Sequence, residues 1–408
     1  MLTVVPFKAI VPRADIVETV SSENFDSQNK ILSIEEMKRN PISYLHVAKP
    51  HLGFLEEKKN VAKHFPIALN KLNEFLDQGI MQRETAGVYI YRQIKDGRIY
   101  QGVIAGVHAN DYAEERIKKH EFTRTDKEEE MVGQMSITHT IGTAVLVTYH
   151  QTHNIEELTK LEMGEKPMFD FVQKAVRHSV WKVREHSELC QLLSNLDDVY
   201  IADGHHRSAS LVRYANKQKK ANPKHNGTEA YNFLQTYFVP STYLYVYEYN
   251  RLVANITETP FKILKHICDH FEVERKRKEA YQPKKMHNFG MYYQGQWYKL
   301  KAKAEVINDA DPLESLDVKL LENYILKPVL KIVDSKTDER LSFVDGSKGL
   351  VFLQDRVDKK KADIAFTMYP TDIEQVMAVA DIHATMPPKS TWIEPKMRTG
   401  FIVQDLNE

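Results

Sequence analysis

Between residues 199 and 215 the chain reads Val-Tyr-Ile-Ala-Asp-Gly-His-His-Arg-Ser-Ala-Ser-Leu-Val-Arg-Tyr-Ala, and no other stretch leaves so little freedom to the fold. The run Val199-Tyr200-Ile201 reads as the end of a buried strand. Ser208 to Ala215 has the small and apolar spacing of a helix lying on a sheet. Gly204 takes the corner. A helix that starts here aims its free N–H groups and its positive end into the space shared by Asp203, His205, His206 and Arg207, which suits a phosphate. The opposing reading is local, with Asp203 capping the helix and the basic groups solvated.

At 408 residues the chain is long enough for roughly two or three folding units. Lys plus Arg and Asp plus Glu both number 56, so the zero formal charge gives no global pull toward nucleic acid or an anionic membrane. The two cysteines, Cys190 and Cys268, are too few for a disulfide framework or a thiolate zinc site. With no basic-then-apolar leader and no apolar run of bilayer length, a cytoplasmic protein without a membrane partner is expected.

Along the chain, residues 2–10 read as an opening strand followed by a polar stretch through Asn29. Ser33 and Glu36 have capping-box spacing and are expected to start a short helix stopped at Asn40-Pro41. An amphipathic helix is predicted over 61–77, with Gly79 as its stop. Two β-rich runs, 87–94 and 98–107, flank Lys95-Asp96-Gly97 and predict a central hairpin. The densely charged segment 114–134 carries His120-Glu121-Phe122-Thr123, which lacks the second His of a helical zinc motif. An apolar run follows at 144–148. The basic stretch 217–224 has no aromatic interleaving and reads as an exposed loop rather than a nucleic-acid contact, and 231–239 resumes a strand. Residues 260–330 read as a second α+β unit with an aromatic strand pair at 289–293 and 296–300. A strand at 362–366 and a helix at 371–380 lead to Pro387-Pro388-Lys389-Ser390-Thr391. The prolines stiffen that loop, so an ammonium, two hydroxyls and nearby amides are presented together, as an anion would require. The Gly-rich run of a Walker A loop is missing, and a rigid surface turn is the other reading.

The Ala-Asp-Gly-His-His-Arg turn, the His120-Glu121-x-Thr123 pair and the Pro-Pro-Lys-Ser-Thr tail together resemble a widespread bacterial family of unassigned function, over nearly the whole chain. More distantly the ordered set resembles the free serine kinases of the ParB/sulfiredoxin superfamily, which phosphorylate L-serine with ADP or ATP. That resemblance implies Glu121 as the base facing the serine hydroxyl, beside His120, and Asp203 as a second acidic partner. It implies Gly204, His205, His206 and Arg207 around the nucleotide phosphates, and Thr123, Lys389, Ser390 and Thr391 at the substrate. Where that bacterial family carries Pro-Tyr-Asp near the N-terminus, this chain has Asn24-Phe25-Asp26, so only Asp26 carries over. Sulfiredoxin has a Cys at the position of His205; without a thiol, sulfinic acid reduction lacks its nucleophile.

The expected fold is therefore α+β, with a ParB/sulfiredoxin-like mixed core over 1–240, inserted hairpin included, and an α+β lobe over 241–408 that returns the Pro-Pro-Lys-Ser-Thr loop to the cleft. The expected activity is transfer of a phosphoryl group between a nucleotide and serine or phosphoserine, or phosphoserine hydrolysis. Mg²⁺ would be held mostly by phosphate oxygens and water. As a base, Glu121 would need its pKa raised above about 4.3 by burial or by Asp203. The alternative is a ParB-like nucleotide switch or DNA-associated module without turnover, against which stand the neutral charge and the missing helix-turn-helix signal.

Overall fold

A computed structural model describes residues 1–23, 30–54 and 61–407; Asn24, Phe25 and Asp26 lie outside the described residues. The chain is a mixed α/β protein of two compact units, Met1–Leu244 with Pro395–Glu408, and Tyr245–Glu394. The expected lobe of 241–408 does not coincide with the second unit. The tail joins the first unit because strand Val403–Asp405 inserts between Phe7–Pro12 and Thr140–Ile141 in a four-stranded sheet completed by Met81–Gly87.

The first unit is organised by a nine-stranded sheet. Its order is Phe169–Gln173, Val176–Lys182, Tyr89–Lys95, Arg98–His108, Phe233–Pro240, Val145–Tyr149, Val199–Asp203 and Ile117–Lys118, with Val4–Val5 pairing on Arg98–His108. The central hairpin follows from its turn. Asp96 (φ +52°) and Gly97 (φ +75°) both take positive φ, the type I′ geometry that matches strand twist, and Lys95 pairs with Arg98. Alternate residues Val103, Ala105 and Val107 join Ile90, Val147, Ile201 and Phe238 in one apolar layer, and Leu211 and Tyr214 from helix His205–Ala221 close over it. Helix Thr125–Thr138 packs beside that helix.

Two expectations need correction. Ser33 does not cap a helix but lies buried inside Lys30–Arg39, one turn before buried Met37, so its side chain belongs to the inward face. The basic stretch from Lys217 is not a loop: the helix continues to Ala221, and Lys219 and Lys220 occupy its last turn, where the negative end of the helix dipole favours them.

In the second unit all six strands of the sheet run antiparallel, in the order Phe271–Arg277, Gln296–Ala302, Asn288–Tyr293, Ile364–Thr367, Tyr249–Val253, Leu341–Asp345. Period-two alternation gives it two apolar faces. Phe289, Met291 and Phe366 pack with Ile263, Ile267 and Val376 of helices Pro260–His270 and Ile373–Asp381; Tyr292, Trp297 and Ala365 pack with Leu353 of Gly349–Asp358. Among the described residues no helix is long and apolar enough to cross a membrane.

Close approach of the two central strands of the first unit fixes one position. A Cβ on Gly102 would run into the carbonyl of Phe238, which is backbone and cannot step aside. Gly102→Ala is expected to lower the stability of the protein by roughly 1–3 kcal/mol, read as a reduced urea midpoint.

Candidate functional site

Strand Val199–Asp203 runs antiparallel to Val145–Tyr149 and parallel to Ile117–Lys118. Its register jumps from Ile201 opposite Val147 to Asp203 opposite Leu146, a bulge at Ala202 that re-aims the strand end. Gly204 then takes φ +107°, and the helix starts at His205 with no side-chain cap. The capping role considered for Asp203 is thus not the one it has. Its carboxylate accepts from Arg207 Nη2 at 2.5 Å and from Lys396 Nζ at 3.1 Å. Burial pushes its pKa up, and the two cations more than reverse that, holding it well below the usual carboxylate range.

Arg207 is committed to the same corner. Its Nη1 donates to the carbonyl of Ala144 at 2.5 Å, tying the helix start to the loop that precedes Val145–Tyr149. A Cβ on Gly204 would lie 2.7–2.9 Å from three guanidinium atoms, in a backbone region that side chains rarely adopt. Gly204 is therefore required twice, for φ and for room. The amides of Arg207 and Ser208 bond to the Gly204 carbonyl, which leaves those of His205 and His206 as the open donors of the first turn among the described residues.

Both imidazoles are fixed by backbone. The N–H of His120 donates to His205 Nε2 at 3.4 Å and that of Arg124 to His206 Nε2 at 3.1 Å, so each Nε2 is a lone-pair acceptor and each ring proton sits on Nδ1. His205 Nδ1 faces Glu121 Oε2 at 3.6 Å. The His120 ring meets that of His205 edge-on at 4.6 Å, and its buried Nδ1 has no hydrogen-bond partner among the described residues. Burial lowers all three histidines: His120 to about 4 despite the pull of Asp203, His205 well below its ordinary value with His120 adding to the effect, and His206 less. The Glu121 side chain is 55 % exposed, so the burial expected of it is absent and it offers its carboxylate beside a neutral imidazole.

Thr123 donates to Glu128 at 2.5 Å, and Glu128 in turn pairs with Arg213 at 2.8 Å, locking the segment after Glu121 onto two helices. Lys389, Ser390 and Thr391 belong to the second unit. There Lys389 takes φ +55° with its ammonium 3.4 Å from the Tyr249 hydroxyl, and Ser390 closes the loop on the Pro387 carbonyl at 2.7 Å. The first unit thus brings together His120, Glu121, Asp203, Gly204, His205, His206 and Arg207. Lys396 was missed in the sequence, where it is one lysine in a proline-rich tail; only the returning strand gives it meaning. Among the described residues no three His, Cys, Asp or Glu side chains gather as a metal cage.

The chain belongs to a family described as protein of unknown function (DUF1015), whose model matches residues 4–319. Among curated proteins none matches it. Of solved structures, it is similar to a free serine kinase variant in complex with AMP, at 12 % identity and a TM-score of 0.36 over 74 % of this chain and 92 % of that one. It is similar also to a conserved hypothetical protein from Pyrococcus furiosus, at 13 % and 0.34 over 75 % and 96 %. SbnI with a C-terminal truncation, from Staphylococcus aureus, gives 12 % and 0.35 over 71 % and 82 %.

Because His120 is neutral when folded and protonates near its ordinary value when unfolded, it contributes stability that is complete above about pH 6.5. That contribution declines as pH falls toward about 4. Unfolding free energies measured by urea titration across this window are expected to fall steeply in the native protein. In His120→Phe the fall should be smaller by up to about 3 kcal/mol; parallel curves would show that the buried ring is not a source of the acid sensitivity.

Proposed function

We propose that this protein is a phosphotransferase that moves a phosphoryl group between ADP or ATP and free serine, built on a ParB/sulfiredoxin-like core. One observation carries the reading: a half-exposed carboxylate, Glu121, stands against a neutral imidazole at the open first turn of a 17-residue helix. An anion and an acceptor for a hydroxyl proton are there served side by side, and phosphoryl transfer asks for little more than charge and orientation.

In this mechanism the amides of His205 and His206 and the helix end hold phosphate oxygens. Arg207 and Lys396 act through Asp203, keeping the strand–helix corner in shape, so Asp203 is a positioning group and not a proton acceptor. His205 presents Nδ1–H to Glu121 and orients it. Glu121 accepts the serine hydroxyl proton as the serine oxygen bonds to phosphorus and the bridging bond of the nucleotide breaks; the shortened nucleotide leaves. Run backward, the same groups release serine from phosphoserine, and metabolite levels choose the direction. Mg²⁺, when bound, neutralises phosphate charge. With Asp203 engaged by two cations and Glu121 as the accessible carboxylate, the donor set fits an ion carried on phosphate oxygens and water. Thr123, beside Glu121 in the sequence and held by Glu128, is taken as a contact to the substrate.

The purified protein is to be incubated with Mg²⁺ and labelled phosphoserine, with ADP or without nucleotide. Serine with ATP is the expected product. Phosphate release without nucleotide would make it a phosphoserine phosphatase, and neither product, with nucleotide-dependent DNA retention, would replace the enzyme by a switch. Glu121→Gln is expected to cut kcat by about 10²–10⁴ while nucleotide affinity stays near the native value; unchanged kcat would remove Glu121 from the reaction.

A further inference from the structure

Arg251, in the inner strand Tyr249–Val253, is 3 % exposed and yet has no carboxylate at ion-pair distance among the described residues. Glu322 acts on it only at longer range. Its guanidinium lies over the Phe343 ring at 5.2 Å. One Nη donates to the carbonyl of Tyr249 in its own strand, and the other donates to the carbonyl of Lys389 at 3.1 Å. A buried charge whose hydrogen bonds among the described residues go to carbonyls is an expensive way to fill a core, and an apolar side chain of similar volume would cost less. Packing does not account for it.

What it holds does. A trans peptide is planar with C=O and N–H on opposite sides, so drawing the Lys389 carbonyl onto Arg251 turns the Ser390 N–H the other way. The next peptide is treated alike: the Ser390 carbonyl accepts from the Thr371 hydroxyl at 3.3 Å, which turns the Thr391 N–H away from Thr371. Neither amide has a hydrogen-bond partner among the described residues. Lys389 pays the conformational cost of this arrangement with a left-handed φ of +55°. We infer that Arg251 is the positioning residue of an anion-binding loop, holding the Lys389 carbonyl so that the amides of Ser390 and Thr391 and the Lys389 ammonium receive a phosphate or carboxylate. The inference deepens the proposed function, on which the naming of phosphoserine as the natural anion rests. Successive backbone N–H groups beside a fixed cation are a recurrent way to bind such groups.

The full chain serves for the test, with inorganic phosphate and phosphoserine as separate probes. Hydrogen exchange across residues 387–391 is read by mass spectrometry and affinity by calorimetry. Phosphate is expected to slow exchange at this loop in the native protein. Arg251→Lys, which keeps the charge but reaches a single carbonyl, is expected to bind both anions about tenfold more weakly, and Arg251→Leu more weakly still, with nucleotide affinity unchanged. Should Arg251→Leu fail to fold, Arg251→Lys decides alone. Native affinity for phosphate in the variant, or native exchange at 387–391 unaffected by phosphate, would overturn the inference. Protection of the loop by phosphate without any binding of phosphoserine would support the clamp and count against the proposed substrate, so the two failures are told apart.

Discussion

The carboxylate of Asp203 sits at the corner where strand Val199–Asp203 becomes helix His205–Ala221, gripped by Arg207 from one turn into the helix and by Lys396 from the far end of the chain. Everything else in the first unit's cluster presupposes that grip. The bulge at Ala202 aims Asp203 at it, the open space at Gly204 admits the guanidinium, and the second arm of Arg207 draws the Ala144 carbonyl to the same point. A carboxylate with one cation could swing; with two it has a single orientation, and the helix end is held at the sheet rather than left to fray.

Around that charged corner the histidines form a neutral layer. His205 and His206 each accept a backbone N–H, and burial opposes the protonation of all three rings. On the proposed function the helix amides, not cationic rings, would attract the phosphate, and Glu121 keeps a hydrogen-bond donor beside it across the neutral pH range. This differs from a reading that counts His205, His206 and Arg207 as three phosphate-binding cations. The types are as the motif requires, but two are neutral and the third is bound to Asp203.

The second unit solves a similar problem by other means. Its antiparallel sheet buries apolar side chains on both faces, and a buried charge in its interior, Arg251, is turned toward backbone carbonyls. Where the first unit uses paired charges to fix a carboxylate, the second uses an unpaired one to fix a loop.

Much of this was legible in the residues themselves. Period-two runs, the Asp96-Gly97 turn and the strand–Gly204–helix sequence are short-range signals, because φ preferences and side-chain alternation act over a few residues, and they located the hairpin and the strand–helix corner. The helix starts and stops at Ser33 and Lys217 misled because a polar or basic residue reports a boundary only when it faces water, and facing is a property of the packed molecule. The sequence by itself therefore determined which residue types stand at the corner and that Gly204 must turn it. Only the tertiary structure decided that strand Val403–Asp405 returns to the first unit and brings Lys396 to Asp203, that Arg207 serves the turn, and that the histidines are neutral, since each depends on contacts across hundreds of residues and on burial that no local pattern encodes.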